Sequence, residues 1–176
     1  MNVVRKFLKY LGFPVAIIAL VLGLNFISVG RQAFAVTGRP SNKGISVLTY
    51  HHYLVKPGAL VIDIRSVDGD KAPLDVIRVF FQIAEQFKDC EFSEVRLAFR
   101  GETRFLIRPE RFRTIGREYA FQNPLYVIRT MPEDLLLPDG RPAYGRWTGG
   151  WLGVMGKQME DFSDFYKRWF MADLVR

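Results

Sequence analysis

The chain has 176 residues, 49% of them hydrophobic and 24% charged, with a formal net charge of +7. One cysteine, Cys90, excludes an intramolecular disulfide framework and a multi-cysteine metal site. Residues 1–35 contain Arg5, Lys6, Lys9 and Arg31 and no acid, so 21 basic side chains face 18 acidic ones in the remainder. That balance is too even to imply a nucleic-acid partner.

The acid-free start is an address. Three basic residues precede an uncharged run from Leu11 to Gly30, whose only polar side chains are Asn25 and Ser28. A helix rises about 1.5 Å per residue, so roughly twenty apolar residues span a hydrocarbon core of about 30 Å. The basic head is expected to stay in the cytoplasm, leaving the rest of the chain outside as a single-pass membrane protein. The alternative is a signal peptide, cleaved after Ala35 at Ala33-Phe34-Ala35, which would give a secreted or periplasmic product. Length favours the retained anchor. The expected organisation is therefore residues 1–35 as anchor or signal peptide, 36–44 as a polar tether, and 45–176 as one extracytoplasmic domain of a size suited to a single core.

Within that domain, Ser46–Val55 and Ala59–Ser66 are rich in β-branched and aromatic residues and predict a hairpin turning at Lys56-Pro57-Gly58. With Val55 against Leu60, strand alternation puts Leu60, Ile62 and Ile64 on one face with Thr49, His51 and Tyr53. The other face takes Tyr50, His52, Val61, Asp63 and Arg65. The apolar positions Leu74, Ile77, Phe80, Phe81, Ala84 and Phe87 predict an amphipathic helix over 73–88, with Gln82 among its water-facing residues. A second hairpin follows over 94–109. Its hydrophobic parity asks for a three-residue loop, Gly101-Glu102-Thr103, with Phe99 facing Phe105 and Leu97 facing Ile107, and a bulge as an alternative. A short helix over 110–119, a strand over 125–129, one helical turn over 132–137 and a final helix within 152–174 complete the order ββαββαβα. This order predicts an α+β fold, a mainly antiparallel sheet with helices on one face.

Two constellations could carry chemistry. The second hairpin's register would align Arg96 with Arg108 and Arg100 with Arg104. Opposed like charges destabilise a sheet, so such a face, with Arg65 beside it, would suit an anionic ligand or an acidic protein partner. His52 would stand across from Asp63, where a carboxylate could orient the imidazole for acid–base catalysis. The segment Trp147–Lys157 is not a phosphate loop, because Trp151 replaces the required glycine and Gln158 the hydroxyl. No metal or cofactor motif is present in the sequence. The expected function is a non-enzymatic, membrane-associated binding or assembly module. The alternatives are an exported enzyme using His52 and Asp63 on an anionic substrate, and a structural subunit of a membrane complex. Exposed tryptophans around Trp147 and Trp151 would favour the last.

Overall fold

The structure is a computed structural model; it describes the backbone of residues 2–172 and the side chains of 14–172. The side chains of Arg5, Lys6 and Lys9 and the end of the last expected helix at Leu174 lie outside these described residues.

The described residues open with one uninterrupted helix. α1 (Asn2–Asn25) passes through a π-helical turn at Phe26–Gly30 into α2 (Arg31–Thr37). Gly30 does not break it, since its dihedrals stay right-handed helical at φ −66 and ψ −37. The stretch Pro14–Thr37 is long and apolar enough to cross a membrane. Its second half is built into the domain: Val29, Ala33 and Val36 are all buried in the core. The residues read as a tether are ordered the same way. A 3-10 turn at Pro40–Asn42 presents Asn42, whose side-chain amide donates to the Val36 carbonyl at 2.8 Å and to Gln82 Oε1 at 2.6 Å. Gln82, expected in water, is therefore buried, and it donates on to the Tyr119 hydroxyl.

The domain is α+β. Its elements are β1 (Ile45–His52), β2 (Lys56–Val67), α3 (Pro73–Gln86), β3 (Glu94–Phe99), β4 (Glu102–Ile107), α4 (Pro109–Glu118), α5 (Pro124–Thr130), β5 (Leu135–Leu136) and α6 (Trp151–Tyr166). A π-helical turn at Lys167–Met171 follows α6. The five strands lie side by side in chain order. The sheet is mixed rather than mainly antiparallel. The β1–β2, β3–β4 and β4–β5 pairs are antiparallel, but β2 and β3 run parallel. The reason is α3, which carries the chain back across the sheet before β3 begins, as a parallel pair requires.

The strand expected over 125–129 is helical. Asn123 accepts the Leu125 amide at 3.0 Å and Pro124 occupies the first turn, so a good N-terminus overrides the β-branched Val127-Ile128. The fifth strand is instead the dipeptide Leu135–Leu136.

Both hairpins keep the expected faces with a different register. The first turns at Tyr53 and Leu54, both at positive φ, not at Pro57-Gly58, so Leu48 stands opposite Asp63 and Tyr50 opposite Val61. The second is a two-residue turn at Arg100-Gly101 with positive φ at both residues, as a type I′ turn needs. A bulge then restores parity, so Leu97 faces Phe105 and Val95 faces Ile107. At that bulge the Ala98 carbonyl accepts the buried Trp169 indole N–H at 3.1 Å.

One face of the sheet, through Leu60, Ile62, Ile64, Leu97 and Phe99, meets α3, α4 and the C-terminal aromatics. Phe80, Phe165 and Trp169 interlock there with ring centroids 5.2–5.7 Å apart, in the range of favourable aromatic pairs. Helix α4 crosses α3 so closely that a Cβ at Gly116 would collide with the Ala84 carbonyl. Gly116→Ala should therefore cost about 1–3 kcal/mol by forcing the helices apart. Urea unfolding followed by circular dichroism measures this.

Candidate functional site

Among the described residues, two surfaces carry the residues singled out in the sequence: the junction between the N-terminal helix and the first hairpin, and the face of the sheet against which no described helix packs.

At the junction, the two polar side chains of the apolar run make the contacts. The Asn25 amide donates to the Val21 and Leu54 carbonyls, and its Oδ1 accepts the His51 backbone N–H at 2.9 Å. Ser28 Oγ lies 3.1 Å from His51 Nε2, and the Thr49 hydroxyl donates to the Val29 carbonyl at 2.6 Å. Strand β1 is an edge strand, and these bonds occupy groups that such an edge leaves open. Burial holds the His51 imidazole below its ordinary range of titration. His51 faces the helix, and its placement on the same side as Leu60 follows from the parity of the hairpin.

The uncovered face has a buried carboxylate at its centre. Asp63 is only 1% exposed. It accepts from Arg65 Nη1 at 2.8 Å, from the Gly101 amide at 3.0 Å and from the Tyr50 hydroxyl at 3.3 Å. Burial and the neighbouring Asp63 charge push the Tyr50 phenol up to about 12. Asp63 thus ties β1, β2 and the β3–β4 turn together. It is not paired with His52, which stands opposite Lys56 and stacks on Tyr53 with ring centroids 3.8 Å apart. Burial lowers the His52 imidazole, helped by Arg96 and Lys56 and opposed by Glu94. The expected carboxylate-assisted imidazole is absent because the turn lies upstream of Pro57 and the residue opposite Asp63 moves by four, from His52 to Leu48.

The arginine ladder is not formed either. Arg96 faces Leu106 and bonds Glu94 Oε1 at 2.5 Å; Arg104 sits in the bulge with Glu102 at 3.0 Å. Burial opposes ionisation of the Glu94 carboxyl, but the Arg96 hydrogen bond and charge outweigh it and hold the group below its usual range. Arg100 is in the turn, its guanidinium 5.0 Å from the Phe99 ring centroid, and Arg108 lies 3.8 Å from Asp134. With Arg65 on Asp63, the face is a mosaic of neighbouring opposite charges rather than a positive field.

Comparison with known protein families, with curated sequences and with solved structures found no match.

The loop before α6 is partly fastened. Trp147 Nε1 donates to Asp161 Oδ2 at 2.7 Å, with Lys157 over its ring, while Trp151 is 69% exposed and Leu152 stands beside it in the open. Sequence reasoning located these tryptophans but not the Asp161 bond. It also missed the role of Asn25 and Ser28, although two polar residues in an apolar run were a usable signal.

Asp63→Ala should cost on the order of 2 kcal/mol, because it leaves the Gly101 amide and Arg65 without their acceptor; half-exposed Arg65 retains water. Asp63→Asn should cost less, and equilibrium unfolding separates the two. The lowered histidines predict a pH response. The unfolded chain takes up protons first as pH falls, so stability present above about 6.5 is lost below it. The thermal midpoint should drop from about pH 7 to about pH 5, and the slope should flatten in the His51→Gln, His52→Gln double variant.

Proposed function

We propose that the protein is a retained, single-pass membrane protein whose domain stands outside the cytoplasm and acts as a binding or assembly module. The observation that carries this reading is the unbroken helix from Asn2 to Thr37, with Val29, Ala33 and Val36 packed in the domain core. Cleavage after Ala35 would remove Asn25, Val29 and Ala33 and expose what they cover. Burying one valine is worth roughly 1.5–3 kcal/mol, so the loss would be a large part of an ordinary domain's stability. Arg5, Lys6 and Lys9 ahead of the apolar run support the orientation. Helix and domain share packed contacts, so the anchor holds the domain in a fixed attitude at the membrane.

The surface offered to a partner is the uncovered sheet face. Its alternating charges suit a polar protein surface of matching pattern, since paired arginines have already spent their attraction on Glu94, Glu102 and Asp63. A second reading, a structural subunit of a membrane complex, is favoured by exposed Trp151 and Leu152 at the start of α6.

Membrane fractionation with crosslinking, followed by intact-mass measurement, tests the proposal. The expected species begins at Met1, resists alkaline extraction and is recovered with a partner. Reversing Arg100 and Arg104 to Glu should reduce that recovery roughly tenfold while leaving the circular dichroism unchanged. A soluble product beginning at Val36 would sink the anchor, and undiminished recovery from the reversed variant would sink the sheet face.

A further inference from the structure

The helix that anchors the domain is too short to cross a membrane with the domain wholly outside. Between Lys9 and Asn25, the first residue bonded to the domain's hairpin, lie the fifteen residues 10–24. At 1.5 Å each they reach about 22 Å, against a hydrocarbon core of about 30 Å. The missing length is supplied by the uncharged residues 25–30, and these already carry the end of β1 on one side. The tip of the first hairpin must therefore enter the leaflet on the domain's side.

The tip is composed for that place. Tyr53 is 77% exposed and Val55 69%, with Leu54 between them also open to solvent. Three exposed apolar or aromatic residues in a row at a turn are unusual in water, and Tyr belongs at the membrane interface. Non-helical backbone in a membrane needs its polar groups satisfied. Leu54 meets this, its N–H donating to the His51 carbonyl at 2.7 Å and its carbonyl accepting from the Asn25 amide. His52 and Lys56 flank the turn, and the long stem of Lys56 can carry its charge back to the headgroups. Between the tip and α1 lies an open groove of about 380 Å³, its walls formed by Val21, Leu24, Leu54, Val55 and Pro57 together with the mutually bonded polar groups of Asn25, Ser28 and His51. The exposed side chains of Ile17, Ile18 and Leu20 continue this apolar surface along the helix.

We propose that Tyr53–Val55 is a second membrane-embedded element, lying at the boundary between headgroups and acyl chains, and that its groove against α1 takes the upper part of a lipid acyl chain. This rests on the reading of α1 as a membrane span.

The test uses the full chain with Cys90→Ser, reconstituted in vesicles of phosphatidylcholine and phosphatidylglycerol. A single cysteine at Val55, Ile18 or Asp139 carries an environment-sensitive nitrobenzoxadiazole label, and lipids bearing a spin-label quencher near the headgroup or at the chain end report depth. The expected result is a blue-shifted Val55 label quenched most by the shallow probe, an Ile18 label quenched most by the deep probe, and a water-like Asp139 label. A quenched Ile18 label with a water-like Val55 label overturns the inference and leaves the span standing. Unquenched Ile18 overturns the span and the inference with it.

Discussion

Asn25 is the constraint on which the arrangement depends. A carboxamide in an apolar run is costly to leave unpaired, and here each end of the group is engaged. It donates to Val21 and Leu54 and accepts from His51. That single side chain joins the N-terminal helix to the first hairpin and fixes which face of the helix meets the domain. Val29, Ala33 and Val36 lie on the same face at helical spacing, so the apolar stripe that enters the core begins where the polar contact ends. Asn42 continues the seam by binding both Val36 and Gln82. The helix end, edge strand and α3 are thus held by the buried or half-buried polar contacts of Asn25 and Asn42, set in a surface that is otherwise hydrophobic.

The other face of the sheet is organised by a different polar group. Asp63 sits at the centre of strands that carry no helix above them, and it is buried because Arg65, Tyr50 and the β3–β4 turn close over it. A buried carboxylate with three donors is satisfied and fixes geometry; the Gly101 amide in particular pins the type I′ turn to β2. The arrangement uses the charges that a ligand would otherwise read. That is the reason the partner proposed above for this face is a patterned protein surface and not a small anion.

The faces of the strands were legible in the sequence, and the registers were not. Alternation assigned Leu60, Ile62 and Ile64 to the core and Asp63 and Arg65 to the opposite side. A register displaced by an even number of residues, four in the first hairpin and two in the second, keeps every side chain on its face, so hydrophobic pattern has no power to detect it. What that displacement changes is who stands opposite whom, and both site hypotheses depended on opposition. The His52–Asp63 pair and the arginine ladder vanish together for this reason. The turns responsible lay at Tyr53-Leu54 and Arg100-Gly101, where non-glycine residues adopt positive φ and propensity points to neighbouring glycines instead. Gln82 reads as water-facing and 36–44 as a tether because polar residues that find their partners across a core, as Asn42 and Gln82 do, carry no periodic signal.

Strand β1 belongs to both surfaces at once. Its alternate residues Thr49 and His51 hold the helix, while Tyr50 and His52 stand on the uncovered face. Tyr50 reaches Asp63, and Asp63 reaches the turn between β3 and β4. A change in the tilt of the helix would have to break the Asn25 and Thr49 bonds or carry β1 with it. Close-packed cores resist the first, since the buried valines would separate from their neighbours. The attitude of the uncovered sheet face is thereby tied to the attitude of the N-terminal helix through one edge strand. For the membrane-anchored binding module proposed above, a flexible linker would suffice to keep the domain near the membrane; rigid coupling would have physical value where the direction in which that face points matters to a partner.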